Sequence, residues 1–223
     1  AVAIVIPFTL TFIVGRIKLS KEDRFGKEAA GAENAADTAT DTTESTANTA
    51  GNAADSTAVS DTANAADSAA DDVKELKSIL DGKVMPIEEA PDDVFSQKIM
   101  GDGLAIEPSG TVVTAPADCD VSIVMADTGH ACGLTLANGL ELLIHVGVDT
   151  VDMGGDGFKL LVKEGDHVKC GGPLIEFDPE KIKAAGHPCT TMLIVTGEGS
   201  AANITMHSGM EAKAGVTPVI TWE

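Results

Sequence analysis

The chain has 223 residues, a formal net charge of −20, no Tyr and a single Trp222. That length is enough for one ordinary domain with extra segments, and the charge excludes the basic footprint of a nucleic-acid surface. It suits an acidic surface meeting a basic protein partner, around a core built from Val, Ile, Leu and Ala. The four cysteines, Cys119, Cys132, Cys170 and Cys189, form no C-x-x-C pair, and no secretory signal accompanies them. They read as small buried hydrophobes, not as a zinc ribbon or a disulfide framework.

The chain opens on Ala1–Gly15, almost wholly apolar and without an initiating Met. The run is shorter than a bilayer span and lacks the basic start of a signal peptide. With Arg16, Lys18, Lys21 and Arg24 just beyond it, residues 1–25 read as the trailing end of a membrane helix on its cytoplasmic side. A buried element of a soluble domain is the competing reading. Residues 26–78 are rich in Ala, Thr, Asp, Ser and Asn, with echoes such as Asn34-Ala35-Ala36-Asp37 and Asn52-Ala53-Ala54-Asp55. Such a composition cannot bury enough apolar surface to offset its ordering entropy, so it predicts a disordered acidic linker. At its end, Asp72–Leu80 reads as a short helical turn or as the last of the linker.

From residue 79 to 223 the pattern changes to short Val- and Ile-rich runs separated by Gly, Pro and Asp. Strands are expected over Gly110–Val113, Val121–Val124, Leu140–Val148, Phe158–Val162, Pro173–Phe177, Met192–Val195 and Val216–Thr221. Only Pro179–Ala185 looks helical, with Pro at a first turn. The expected fold class is all-β, an antiparallel sandwich or barrel with short helical turns.

Two histidines carry the chemistry. His145 lies in Leu143-Ile144-His145-Val146-Gly147-Val148-Asp149, and its apolar neighbours by themselves favour a structural histidine. His130 lies fifteen residues earlier in Thr128-Gly129-His130-Ala131. A turn at Ala137-Asn138-Gly139 makes Ala131–Leu136 and Leu140–His145 a hairpin, which brings both histidines to one end. Two imidazoles near the carboxylate of Asp149 suit phosphoryl transfer: one attacks and the other donates to a phosphoryl oxygen. The spacing leaves open which nitrogen reacts. A zinc centre on His130 and His145 is the rival, but a catalytic site needs a third protein ligand that no motif supplies. His167, His187 and His207 read as loop residues.

Residues 82–223 resemble the glucose-type enzyme IIA domain of the bacterial sugar phosphotransferase system. The resemblance rests on Asp92-Asp93-Val94-Phe95-Ser96, Met100-Gly101-Asp102-Gly103-Leu104, Ala115-Pro116-Ala117-Asp118, the two histidine blocks, Gly155-Asp156-Gly157-Phe158 and Val168-Lys169-Cys170-Gly171. It implies a β-sandwich of the duplicated-hybrid-motif kind, with no cofactor and no metal. His145 would accept a phosphoryl group from the carrier HPr and pass it to a cysteine of an enzyme IIB domain. His130 would stabilise that group, Thr128 would orient His130, and Asp149 would lie beside the site. Leu143, Val146 and Val151 would form the partner-docking face. Pro7–Gly15 resembles the end of an enzyme IIC membrane domain, which would hold the domain at the cytoplasmic face of the membrane. The alternative is a regulatory module whose face inhibits transporters or enzymes according to phosphorylation state.

Overall fold

The structure is a computed structural model describing residues 74–223. The membrane segment and most of the linker expected above lie outside the described residues. Among the described residues no helix is long and apolar enough to cross a membrane.

Fourteen strands are described: β1 (Glu75–Lys77), β2 (Gly82–Pro86), β3 (Asp102–Pro108), β4 (Val112–Thr114), β5 (Cys119–Val124), β6 (Ala131–Leu136), β7 (Glu141–His145), β8 (Phe158–Leu160), β9 (His167–Val168), β10 (Pro173–Phe177), β11 (Thr191–Gly197), β12 (Thr205–Met206), β13 (Met210–Ala212) and β14 (Pro218–Thr221). Two short helices, α1 (Asp93–Ser96) and α2 (Pro179–Ala184), and two 3-10 turns, Ile87–Glu89 and Thr150–Met153, complete them. The strands form an eight-stranded sheet in the order β13-β2-β3-β11-β7-β6-β5-β9 and two three-stranded sheets, β1-β14-β12 and β4-β10-β8. Every pairing is antiparallel, as the alternation of short apolar runs and turn residues requires.

The large sheet is covered on both faces. Along β7 and its extension, Leu142, Ile144 and Val146 enter the main core with Leu104, Ile106, Leu134 and Leu193. Leu143 turns to the other face, where it meets Ala105, Met192 and Ile194 under a lid of Ile87, Val94 and Phe95. This is the period-2 alternation of a strand, with both faces buried. The lid is held by Asp92, whose carboxylate accepts from the Val94 and Phe95 amides at 2.8 and 3.0 Å.

Three expectations differ from the structure. Residues 74–80, the described part of that stretch, contain no helical turn. Glu75–Lys77 is strand β1, paired with β14 through Leu76 and Ile220, and Leu76, Ile79 and Leu80 are fully buried. Leu76 thus packs in the same core as Val219 and Ile220 of β14. The four cysteines are not all buried hydrophobes either. Cys119, Cys132 and Cys189 are, whereas Cys170 is exposed on the segment after β9. His167, expected in a turn, opens β9, and its Nδ1 lies 2.8 Å from an oxygen of Asp120.

Candidate functional site

The β6–β7 hairpin forms as the sequence predicts, closed by the Asn138-Gly139 turn, and its register sets Ala131 opposite His145. The ladder runs one step further, with the Val146 amide donating to the His130 carbonyl at 2.8 Å. Upstream, a tight turn returns the chain: the Gly129 amide donates to the Met125 carbonyl at 2.6 Å, with Gly129 at φ +65°. His130 leaves this turn beside His145, and the two rings meet edge to face with centroids 4.7 Å apart. Phe95 of α1 lies 5.1 Å from the His145 ring, and Phe158 at the start of β8 lies 6.5 Å from that of His130.

Hydrogen bonding decides the His145 tautomer. The His145 Nδ1 lies 2.8 Å from the Gly147 carbonyl oxygen, which can only accept. Nδ1 therefore carries the proton, and the Nε2 lone pair is left for a reactant. The His130 Nδ1 lies 2.7 Å from the Thr128 hydroxyl. With the Thr128 hydroxyl donating, His130 holds its proton on Nε2, the form that can donate to an anionic oxygen.

Both rings are neutral at pH 7. Burial pushes His145 down to about 4, against the opposing pull of the Gly147 carbonyl, Asp92 and Asp149. Burial, then the neighbouring His145, pushes His130 down to about 3. His145 is 6 % exposed.

The remaining expected residues separate into two groups. Thr128 contacts His130 as expected. Asp149 stands beside the site at φ +56°, leading into the 3-10 turn Thr150–Met153, and its exposed carboxylate favours a charged His145. Val151 is partly exposed on that turn. Leu143 and Val146 cannot form a docking face: they are 1 % and 0 % exposed, one in each core. A continuous apolar run on a strand covered on both sides puts every residue inside.

Sequence reasoning missed Asp92 and Phe95 as neighbours of His145, although both lie in a block it singled out. The N-cap pattern Asp92-Asp93-Val94-Phe95 was the available signal; the packing of α1 over β7 supplies the proximity. Among the described residues no group of three or more His, Cys, Asp and Glu is placed to hold a metal ion.

Residues 74–201 match the family described as phosphoenolpyruvate-dependent sugar phosphotransferase system, EIIA 1. The glucose-specific EIIA component of Bacillus cereus is 43% identical over 141 residues, covering 63% of this chain and 85% of that protein. The glucose-specific EIIBCA component of Corynebacterium glutamicum is 43% identical over 145 residues, 65% of this chain. The chain spans about a fifth of that protein and of the mannose-specific EIIBCA component from the same species, at 21% and 18% of their lengths. The solved structure of glucose permease IIA from Mycoplasma capricolum superposes with a TM-score of 0.59 at 29% identity, covering 66% of this chain and 94% of that one.

Proposed function

The chain belongs to the EIIA 1 family of the phosphoenolpyruvate-dependent sugar phosphotransferase system and carries a phosphocarrier domain of that system; from this premise we propose that His145 is the residue that carries the phosphoryl group. The supporting observation is the His145 Nδ1–Gly147 carbonyl contact of 2.8 Å, which keeps the lone pair on Nε2. Burial holds the ring neutral and therefore nucleophilic.

In the forward step the donor is a phosphohistidine of HPr. The His145 Nε2 lone pair forms a new N–P bond as the donor's N–P bond breaks, and the donor imidazole leaves with the electron pair. The His145 ring gains positive charge as it gives up its lone pair. The Gly147 carbonyl, accepting from Nδ1–H, stabilises that charge. His130 does not attack. Its Nε2–H, set by Thr128, donates to a phosphoryl oxygen whose charge shifts during transfer. In the second step a cysteine thiolate of an enzyme IIB domain attacks phosphorus, the His145 N–P bond breaks, and the ring returns to its neutral Nδ1–H form.

Partners dock over an acidic, apolar-edged rim. Asp92 and Asp149 both act electrostatically on His145, and Val151 and Phe158 are partly exposed nearby. A basic carrier surface complements that rim. Since the EIIBCA relatives join components B, C and A, residues 1–25 are read as the end of a IIC membrane segment. That reading places the domain at the cytoplasmic face of the membrane.

The test is incubation with phosphoenolpyruvate, enzyme I and HPr. The wild-type domain should gain one acid-labile phosphoryl group and His145→Ala none. His130→Ala should gain it but pass it on slowly. Labelling of His145→Ala at wild-type level contradicts the assignment.

A further inference from the structure

The carbonyl that fixes the His145 tautomer belongs to no strand. β7 ends at His145, and Gly147 lies two residues beyond it, in a turn that no sheet ladder holds. The question is what keeps that carbonyl aimed at Nδ1. Two peptide planes decide its direction. The plane between Gly147 and Val148 carries the carbonyl itself, and its Val148 amide donates to the Pro188 carbonyl at 3.1 Å. The plane between Val146 and Gly147 carries the Val146 carbonyl, which accepts from the Thr150 hydroxyl at 2.6 Å.

Thr150 is fully buried and so touches neither substrate nor partner. It opens the 3-10 turn that Asp149, at φ +56°, folds back over the strand end. Its methyl occupies the space beside Gly147: a Cβ added there would overlap that methyl and lie 3.0 Å from the Pro188 carbonyl. The hydroxyl thus ties one plane of the turn and the methyl packs against it, while backbone groups alone tie the other.

We propose that Thr150 is a positioning residue for phosphoryl transfer, its hydroxyl clamping the turn so that the Gly147 carbonyl holds the proton of His145 on Nδ1. This rests on the reading of His145 as the phosphoryl acceptor. Without the clamp, the Val146 carbonyl is buried without a partner and the turn shifts to satisfy it. The Gly147 carbonyl then leaves Nδ1, and the His145 proton is free to move to Nε2, where it blocks the attacking lone pair.

The experiment compares wild type, Thr150→Val, Thr150→Ala and Thr150→Ser in the full chain. Thr150→Val keeps the shape and removes the hydroxyl. Thr150→Ser keeps the hydroxyl and removes the methyl. Thr150→Ala takes the place of Thr150→Val if valine prevents folding. Long-range 15N–1H spectra of the unphosphorylated protein report the His145 tautomer. Stopped-flow transfer from phosphorylated HPr reports rate against carrier concentration.

The hydroxyl-free variant should show a mixed His145 tautomer. Its saturating transfer rate should fall about ten- to a hundredfold, the scale of a misplaced reacting group, with the half-saturating carrier concentration unchanged. Thr150→Ser should restore both. A hydroxyl-free variant with the wild-type tautomer and rate overturns the proposal, as does a Thr150→Ser protein as slow as Thr150→Val. Peptide mapping of the wild-type label separates the two ideas. A label away from His145 refutes the acceptor assignment, while the tautomer spectra still judge the clamp.

Discussion

Replacing Gly147 by Ala tests the geometry of the His145 turn most sharply. Gly147 has φ +73°, and an added Cβ would overlap the Thr150 methyl and lie 3.0 Å from the Pro188 carbonyl. The left-handed conformation costs a non-glycine residue about 1–2 kcal/mol. Overpacking against a buried wall costs about 1–3 kcal/mol more. The sum is about 2–5 kcal/mol, within the roughly 5–15 kcal/mol stability of an ordinary domain, so the variant should remain folded. Gly154 supplies the control. It caps the same 3-10 turn at φ +59°, and nothing lies within 4 Å of its added Cβ. Gly154→Ala should therefore lose only the conformational part, about 1–2 kcal/mol. Urea unfolding with a shared slope gives the difference directly. Gly147→Ala should be the worse variant by about 1–3 kcal/mol and should accept phosphoryl groups slowly, because relief of the overlap moves the carbonyl from His145. Equal stability losses, or full transfer activity in Gly147→Ala, would refute this account of the turn.

Acid should weaken the fold through the two histidines. Both have folded values pushed below the ordinary 6.5, to about 4 and about 3. The unfolded chain therefore binds protons first, and stability falls as pH drops from 6.5 toward 4, by up to about 1.4 kcal/mol per pH unit for each histidine. His130→Gln should reduce that slope by one histidine's share, and an unchanged slope above pH 5 would show that His130 is not held neutral. Thr128→Val removes the hydroxyl 2.7 Å from His130 Nδ1. Phosphoryl acceptance should survive while onward transfer slows by up to about a hundredfold, the effect of losing the His130 donor outright; transfer at the wild-type rate counts against that hydrogen bond. Thiol titration of the native protein should find one reactive group, Cys170, and four in denaturant, since Cys119, Cys132 and Cys189 are buried. Two or more fast native thiols would show one of those three to be open.

The hairpin was legible because two signals agree there. Asn138-Gly139 marks the turn, and the apolar runs on either side have matching length, so the spacing permitted His130 and His145 to meet without requiring it. The family blocks then divided the roles. Where the sequence misled, a short or ambiguous pattern left tertiary contacts to decide. Lys74-Glu75-Leu76-Lys77 is too brief for either period to show, and pairing with β14 makes it a strand. Leu142 to Val146 is apolar except for His145, which hides that both faces of β7 are covered and that Leu143 and Val146 cannot meet a partner. Thr150 reads only as a turn residue after Asp149. Its hydroxyl matters because the turn folds back onto Val146, and no local pattern encodes that return.

The most direct measurement is the nitrogen that carries the phosphoryl group. The domain, labelled with 15N in histidine and phosphorylated by phosphoenolpyruvate, enzyme I and HPr, should show phosphorus–nitrogen coupling at one atom, Nε2 of His145, with Nδ1 still protonated and bound to the Gly147 carbonyl. Coupling at Nδ1 of His145, or at either nitrogen of His130, would contradict the account.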